Sequence, residues 1–387
     1  MAVGIVAEFN PFHDGHAFQI AEIRKKIPAA EIVAVMSGSF TQRGTPAILD
    51  KWTRAKLAVE GGVDLVLELP FTSAVRSAQD FATGAVRLLS ALKIVDTLAF
   101  GAEISDLQKL QAAASAFVEK AFQEKLRAEI STGASYAAAV SKILASTLDL
   151  RQPNTILAVE YLRALPGSVT PLLIPRGEVK SSATAIRAAL YAKPVPWEKI
   201  SVPPAVLAEL KSSELVREDF LLRPIRAKLL TQTPEQLRGI FGMAEGIEFR
   251  LIESARRART FDELVLGIVN RRFPISRVKR LLLYFLLGLT AENFSGLEDF
   301  ARVLAFNERG RILLKKIRAN SAIPIVTKIT KPLPPAVKKN LAFDLLATDL
   351  REILFDTPRP ARLDFFISPR CPRSSCRQSA ACKDTPE

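Results

Sequence analysis

Long hydrophobic runs are absent from the 387-residue sequence. The longest, LLLYFLLGL at Leu281–Leu289, is about half the roughly 18 residues of a membrane span and follows Arg277, Lys279 and Arg280. The first residues, MAVGIVAEFNPF, have neither the basic lead nor the small-residue cleavage site of a signal peptide. We therefore expect a cytoplasmic protein with no membrane partner.

Cysteine is scarce, and all three residues, Cys371, Cys376 and Cys382, lie near the end of the sequence. Their C-x4-C-x5-C spacing, with no histidine nearby, does not match a zinc site. We predict reduced cysteines in a disordered tail at 355–387 and no metal site.

Acidic residues are too few to balance the basic ones in the second half of the chain. The formal net charge is +14. Residues 1–190 hold 20 Lys and Arg against 18 Asp and Glu, so residues 191–387 carry a net charge of +12. Such asymmetry is typical of a polyanion-binding region, because neutralised phosphates release counterions. A basic surface with no partner is the alternative.

Strands alternate with helices in the first half, which predicts an α/β fold with a Rossmann-like parallel sheet covered on both faces. The apolar runs predict strands at 3–9, 31–36, 64–69, 95–100 and 169–174, and helices at 15–26, 51–59, 78–92, 105–127, 134–147 and 154–165, with a further helix starting at Ser181–Ser182.

The domain organisation follows from the same patterns. We predict a nucleotide-binding domain at 1–191, a proline-rich linker at 192–204 and a mostly helical basic region at 205–354. Within the last region, 322–330 is predicted as a lone strand and 336–354 as helical.

The sequence has no G-x-x-x-x-G-K-[ST] loop, and no G-x-G-x-x-G follows its first strand. Instead it has His13-x-Gly15-His16, which contains the only two histidines. Both lie where a turn becomes a helix, a position that favours anions, so they can stabilise charge on the α-phosphate of a nucleotide. Buried structural histidines or a metal-binding pair are the alternatives, although the spacing and the lack of a third ligand disfavour a metal.

Two further segments contain groups suited to anions. Ser37, Gly38, Gln42 and Arg43 follow the second strand, and Arg43 can hold a carboxylate or phosphate in a fork. In SSATAIR (181–187), hydroxyl groups at a helix start precede Arg187, which suits a triphosphate. A polar loop and ordinary helix capping are the respective alternatives. Because strand ends meet at one edge of a parallel sheet, we expect one crevice to collect Asn10–His16, 37–44 and 101–103.

The motifs resemble those of the HxGH nucleotidyltransferases and, more closely, the tRNA(Met) cytidine acetate ligase family. The resembling segments are AEFNPFHDGH (7–16), VMSGSFTQRGTPAILDKW (35–52), GVDLVLELP (62–70), FGAE (100–103), GASYAAA (133–139), PNTIL (153–157), SSATAIR (181–187), EGIEFRL (245–251), FDELV (261–265), RRFPISRVKRLLLYFLLGL (271–289), FNERGRILL (306–314) and ATDL (347–350). They span nearly the whole chain apart from its last thirty or so residues.

The resemblance implies an enzyme that forms acetyl-adenylate from acetate and ATP and acetylates N4 of the wobble cytidine of elongator tRNA(Met). It implies ATP as co-substrate with Mg²⁺, and no obligate protein partner is evident. With Arg187 added from the serine-rich motif, the ATP contacts would be Val6, Ala7, Glu8, Phe9, Asn10, Pro11, Phe12, His13, Asp14, Gly15, His16, Ala17, Phe18, Gln19, Gly101, Asn154, Arg176 and Arg187, with His13 and His16 catalytic.

The other substrates are assigned to two clusters. Acetate or a phosphate group would bind near Ser37, Gly38, Gln42 and Arg43. The tRNA would contact Arg271, Arg272, Arg277, Lys279 and Arg280.

The sequence departs from the family pattern at three points. Phe9 stands where tyrosine is frequent, Asp14 stands where asparagine is common, and the loop at 177–180 is short. Asp14 is predicted to weaken ATP binding through its negative charge unless Mg²⁺ or a nearby cation neutralises it. Two alternative functions stay open: a small-molecule adenylyltransferase of the same superfamily, and a tRNA-binding protein with a vestigial nucleotide site.

Overall fold

A seven-stranded sheet with helices on both faces forms the centre of the molecule. The computed structural model describes residues 1–145, 152–175, 182–244, 246–329 and 332–372. The strands of the first half are β1 Ala2–Ala7, β2 Glu31–Ser37, β3 Leu65–Leu69, β4 Val95–Ala102 and β5 Thr170–Pro175. They are mutually parallel, which confirms the predicted sheet, and the order across the full sheet is β5-β4-β1-β2-β3-β6-β7.

The helices of the first half cover both faces of the sheet, because its central strands are apolar on both sides. They are α1 Asp14–Lys26, α2 Lys51–Glu60, α3 Phe71–Ala74, α4 Ala78–Ala91, α5 Leu107–Ala116, α6 Lys120–Ser131, α7 Tyr136–Leu144, α8 Pro153–Ala164 and α9 Ala183–Leu190. The single helix predicted at 105–127 is wrong. The chain leaves the helix at 117–119, where buried Phe117 packs on Phe122 with ring centroids 4.5 Å apart.

The second half is mostly helical, as predicted, but it also contributes strands to the sheet. Its elements are α10 Pro204–Ser212, α11 Leu222–Leu230, α12 Pro234–Arg238, α13 Ile247–Arg257, α14 Phe261–Ile268, α15 Ile275–Leu287, β6 Ala301–Phe306, α16 Glu308–Asn320, β7 Ile325–Val326, α17 Pro335–Glu352 and α18 Leu363–Phe366, with 3-10 turns at Trp197–Lys199, Glu218–Leu221 and Ala291–Phe294. Strand β6 runs antiparallel to β3 and was not predicted.

The segment 355–372, which we expected to be disordered, contacts the sheet and its neighbouring helix through Asp364 and Arg370. The backbone of Arg370 bonds to that of Leu304 and Phe306 in β6, at 2.8 and 3.0 Å. Asp364 is buried and forms ion pairs with Lys51 at 2.7 Å and Arg302 at 2.6 Å. Its partners lie far away in sequence, which is why the tail looked unpartnered.

The prediction of a reduced tail is also wrong at one cysteine, because Cys371 is disulfide-bonded. The rest of the predicted tail, 373–387, lies outside the described residues. So do the end of the predicted helix at 134–147, the end of the predicted strand at 322–330, the loop at 177–180 and Ser181.

A continuous apolar core joins the first half to the helical region. It contains Val33 and Leu67 from the sheet together with Leu264, Leu282 and Phe285 from α14 and α15. Among the described residues, no helix has the length and apolar character needed to cross a membrane.

Candidate active site

A cleft of about 1890 Å³ opens at the carboxyl ends of β1, β4 and β5. Its wall includes parts of Asn10–His16, of the loop after β2 and of the segment at 101–103, so the structure brings the three predicted strand-end segments together. The volume exceeds the roughly 300–1,000 Å³ of typical small-ligand pockets. The cleft therefore has room for more than one substrate.

His13 and His16 form the start of α1, where each imidazole caps the helix with one ring nitrogen. The N–H of Gly15 donates to His13 Nδ1 at 3.0 Å, and the N–H of His13 donates to His16 Nδ1 at 3.2 Å. A ring nitrogen that accepts a hydrogen bond carries no proton, so both imidazoles are neutral and protonated at Nε2. The rings stack with centroids 3.9 Å apart and line the cleft.

Arg54 of α2 fixes the backbone on which this site is built. Its fully buried guanidinium donates to the carbonyl oxygens of Leu49 at 3.2 Å, Ser37 at 3.1 Å, Glu8 and Gly38. Burial lowers its pKa to about 10, so it stays cationic at neutral pH. Sequence analysis missed this clamp. Its neighbours Thr53, Ala55 and Lys56 give no apolar pattern that would have marked it as buried.

Arg187 joins the serine-rich segment to the histidine loop. It donates to the carbonyl oxygen of Asn10 at 2.7 Å and to Thr184 Oγ1 at 3.2 Å, and it lines the cleft. Asn10 is held in turn by the N–H of Ile48, which donates to its Oδ1 at 2.9 Å. The predicted anion-binding arginine therefore lies beside the histidine pair.

Glu103, at the end of β4, binds the start of α8. Its carboxylate accepts hydrogen bonds from Asn154 Nδ2 at 2.7 Å, from the N–H of Thr155 at 2.8 Å and from Thr155 Oγ1 at 2.9 Å. Burial opposes ionisation, but these hydrogen bonds hold the pKa of Glu103 below its usual value. Glu103, Asn154 and Gly101 all line the cleft.

The structure separates the four residues predicted to bind acetate or phosphate. Gln42 and Arg43 line the cleft, and the N–H of Gln42 donates to Glu8 Oε1 at 2.6 Å. Ser37 is fully buried beneath the loop, and Gly38 packs against Glu68. Neither contacts the cleft.

Helix α15 forms the opposite wall and brings predicted tRNA-binding residues to the same cleft. Arg277, Lys279 and Arg280 line it, and Arg280 donates to the carbonyl oxygen of Gln42 at 3.2 Å. Burial lowers the pKa of Arg277 and of Arg280. Arg271 and Arg272 precede α15 and do not line the cleft.

Most of the predicted ATP contacts lie on the cleft wall. These are Val6, Ala7, Glu8, Phe9, Asn10, His13, Gly15, His16, Phe18, Gln19, Gly101, Asn154 and Arg187. Pro11, Phe12, Asp14 and Ala17 lie outside it, and Arg176 is outside the described residues. Asp14, which was predicted to weaken ATP binding, is not part of the cleft wall. This exposed carboxylate accepts a hydrogen bond from Ser201 Oγ at 2.5 Å.

The arrangement suits chemistry at a phosphate. Two neutral imidazoles and a helix N-terminus face a cleft that also holds Arg43 and Arg187. In the part of the chain that the structure describes, no three His, Cys, Asp or Glu side chains are grouped to hold a metal ion.

Known nucleotidyl transferases and tRNA(Met) cytidine acetate ligases are similar to this protein along most of its chain. The model of the HIGH Nucleotidyl Transferase family matches residues 1–364. The tRNA(Met) cytidine acetate ligase of Acetivibrio thermocellus is 36% identical, over 92% of this chain and 95% of that protein. The ligase of the same name from Syntrophomonas wolfei is also 36% identical, over 95% and 98%. The crystal structure of Thermotoga maritima TmcAL bound with alpha-thio ATP superposes with a TM-score of 0.86, at 30% identity over 96% of this chain and 99% of that one.

Proposed function

The chain belongs to the tRNA(Met) cytidine acetate ligase family, and on that premise we propose that it uses ATP to join acetate to a tRNA cytidine. Acetate and ATP give acetyl-adenylate and pyrophosphate, and the acetyl group then moves to N4 of the wobble cytidine of elongator tRNA(Met). One observation carries the proposal: the histidine pair and the basic residues of α15 line a single cleft. A nucleotide and an acceptor base can therefore meet there.

The first step, formation of acetyl-adenylate, takes place at the start of α1. A carboxylate oxygen of acetate attacks the α-phosphorus, and the bond to the bridging oxygen of pyrophosphate breaks. The Nε2–H groups of His13 and His16 donate to the α-phosphate oxygens as negative charge grows on them. Their Nδ1 atoms are already engaged by backbone N–H groups, so the rings need no reorientation during the reaction.

The remaining phosphates and acetate are assigned to the arginines of the cleft. Arg187 is fixed beside the histidine loop and supplies positive charge for the leaving pyrophosphate. Arg43 and Gln42 are suited to the acetate carboxylate. Mg²⁺ would be held mainly by the phosphate oxygens of ATP and would screen the charge of the leaving pyrophosphate.

In the second step the N4 amine attacks the acetyl carbonyl carbon, the bond from that carbon to the phosphate oxygen breaks so that AMP leaves, and the amine gives up one proton to the solvent. A mixed anhydride is already reactive, so holding the amine against it supplies the main acceleration. The tRNA reaches the cleft along the α15 wall, in the half of the chain that carries a net charge of +12. Because the proposed substrate is a tRNA, we place the reaction in the cytoplasm.

The decisive experiment supplies the protein with ATP, Mg²⁺, labelled acetate and total tRNA, and then digests the RNA to nucleosides. Labelled N4-acetylcytidine is the expected product. Acetate-dependent release of pyrophosphate without tRNA measures the first step separately. Release of pyrophosphate without acetylated RNA would favour a small-molecule adenylyltransferase, and tRNA binding without either reaction would favour a vestigial nucleotide site.

The variant His13→Ala tests the assignment of the histidine pair. We expect a rate loss of about 100-fold or more in acetate-dependent pyrophosphate release, the scale seen when a donor to a transition-state oxyanion is removed. Binding of tRNA, measured by filter retention, should not change. The control is Lys26→Ala, on the same helix but exposed and outside the cleft wall. Equal losses in both variants would contradict a chemical role for His13.

A further inference from the structure

Glu103 is conspicuous in the cleft because its carboxylate binds another cleft-lining residue, Asn154, across 51 positions of the chain. One carboxylate oxygen accepts from Asn154 Nδ2 at 2.7 Å, and the other accepts both donors of Thr155. Helix α8 has no side-chain cap of its own from Gln152, which precedes it. Glu103, which follows β4, thus accepts hydrogen bonds at the start of α8, where Gln152 provides no side-chain cap.

An ionised carboxylate can only accept hydrogen bonds, so it dictates which way the Asn154 amide points. The amide nitrogen has to face Glu103, which directs the amide oxygen away from it. The hydrogen bonds from Asn154 and Thr155 also keep Glu103 ionised by lowering its pKa, although burial opposes this. Asn154 lines the cleft and therefore presents an acceptor to a ligand there.

We propose that Glu103 is a positioning residue for ATP: it orients Asn154 so that the amide oxygen accepts a hydrogen bond from the adenosine moiety. This inference rests on the function proposed above, in which ATP occupies the cleft. The ligand group is a donor, either a ribose hydroxyl or the exocyclic amine of adenine. Glu103 itself does not touch the reacting atoms.

The variant Glu103→Gln is expected to reverse the polarity of the site. A glutamine has one acceptor oxygen, and this oxygen accepts the hydrogen bonds from the N–H and the hydroxyl of Thr155. Its amide nitrogen then faces Asn154, whose oxygen turns toward residue 103 and whose nitrogen turns toward the ligand. We expect ATP to bind about tenfold more weakly, the effect of losing one well-formed hydrogen bond, while kcat at saturating ATP changes less than about twofold.

The control variant is Thr155→Val, which removes the Oγ1 donor to the same carboxylate but leaves the bond to Asn154. We expect its affinity for ATP to stay within about twofold of the parent. If Thr155→Val weakened ATP binding as much as Glu103→Gln, the cluster would serve only to anchor α8 and the proposal would be overturned.

Exchanging the two partners gives the sharpest test. Asn154→Asp alone sets two carboxylates against each other and should weaken ATP binding. In the double variant E103Q/N154D, the introduced glutamine amide donates to the introduced carboxylate, whose second oxygen again faces the cleft as an acceptor. The double variant should therefore recover to within about threefold of the parent. Additive losses of the two single variants would overturn the proposal.

Two kinds of analogue identify the donor, with affinity measured by calorimetry. The 2′- and 3′-deoxy forms of ATP count as one kind of analogue, each lacking one ribose hydroxyl, and ITP, which lacks the exocyclic amine, is the other. The analogue missing the relevant donor should bind more weakly to the parent but not to Glu103→Gln. Discrimination that is the same in both proteins would contradict the inference. A parent that binds no ATP at all would instead contradict the proposed function, so the two failures are distinguishable.

Discussion

At the scale of single residues, the histidine pair caps helix α1 and is also proposed to stabilise charge on the α-phosphate. Each Nδ1 accepts a backbone hydrogen bond at the start of α1, and this fixes the proton on each Nε2. A serine or aspartate would cap the helix as well, but neither would present a neutral donor at that distance from the backbone. The two roles explain why imidazole is used at both His13 and His16.

Asp14, although it lies between these histidines in sequence, is expected to matter little for ATP. Its exposed carboxylate is bonded to Ser201 and is outside the cleft. We predict that Asp14→Asn changes the Kd of ATP less than about twofold and lowers stability by about 0.3–1 kcal/mol, through loss of a charge that suits the helix N-terminus. Calorimetry and thermal denaturation measure the two effects.

Ser201→Ala is the matched control for Asp14→Asn, because it removes the same hydrogen bond from the other side. A fivefold or larger gain in ATP affinity in Asp14→Asn alone would show that the carboxylate repels the phosphates after all.

At the scale of elements, the loop after β2 is packed tightly on helix α15. Gly44 has a φ of +78°, and a Cβ added there would lie 2.7 Å from the backbone nitrogen of Arg280. The guanidinium of Arg280 reaches back to the carbonyl of Gln42. The loop that carries Gln42 and Arg43 is therefore positioned by the helical half of the chain.

Gly44→Ala should disturb this contact. We predict a loss of about 1–3 kcal/mol in the free energy of unfolding, because the residue needs a left-handed backbone and the helix backbone cannot move aside easily. Denaturant titration measures it, and the KM for acetate should rise in parallel. Gly167→Ala is the control, since nothing lies within 4 Å of its added Cβ and its stability should change by less than about 0.5 kcal/mol. Equal effects would contradict the packing argument.

At the scale of the whole molecule, buried charges connect distant parts of the chain. Lys51 of α2 and Arg302 of β6 both bind Glu68 of β3 and Asp364 of α18, and all four side chains are buried. Such a cluster is strongly destabilised when one member is removed, because a charge is left without its partner. The end of the described chain is thereby fastened to the sheet.

Asp364→Asn should cost about 3–5 kcal/mol of folding free energy at pH 7. Burial disfavours the ionised form of Asp364, but Lys51 and Arg302 outweigh it and lower the pKa of the carboxyl. The contribution of Asp364 is present above its unfolded pKa of about 3.9 and is lost as the pH falls through its lower folded pKa. The difference in the free energy of unfolding between parent and variant, measured by denaturant titration, should therefore become smaller at acidic pH.

Asp356→Asn provides the comparison, because Asp356 pairs with Arg217 on the surface at 3.2 Å. Its loss should cost less than about 1 kcal/mol. A cost for Asp364→Asn no larger than that of Asp356→Asn would remove the argument that the cluster anchors the tail.

Local sequence patterns were enough to predict the parallel sheet and three of the segments that line the cleft. Short apolar runs that alternate with helical patterns indicate parallel strands buried on both faces, and HDGH follows the first of them after a short turn, so local order was sufficient. The partners of the buried charges and the far wall of the cleft could be found only from contacts between distant parts of the chain. β6 contains the buried Arg302, and Asp364 lies in a segment that reads as a tail, because their charges are neutralised by residues hundreds of positions away. The same holds for α15, whose Arg277 and Arg280 line the cleft together with the histidine pair, and for Asp14, which lies outside the cleft wall and bonds to Ser201. A pattern along the chain records which residues are apolar or charged, whereas the partner that each charge finds is fixed only when distant elements pack together.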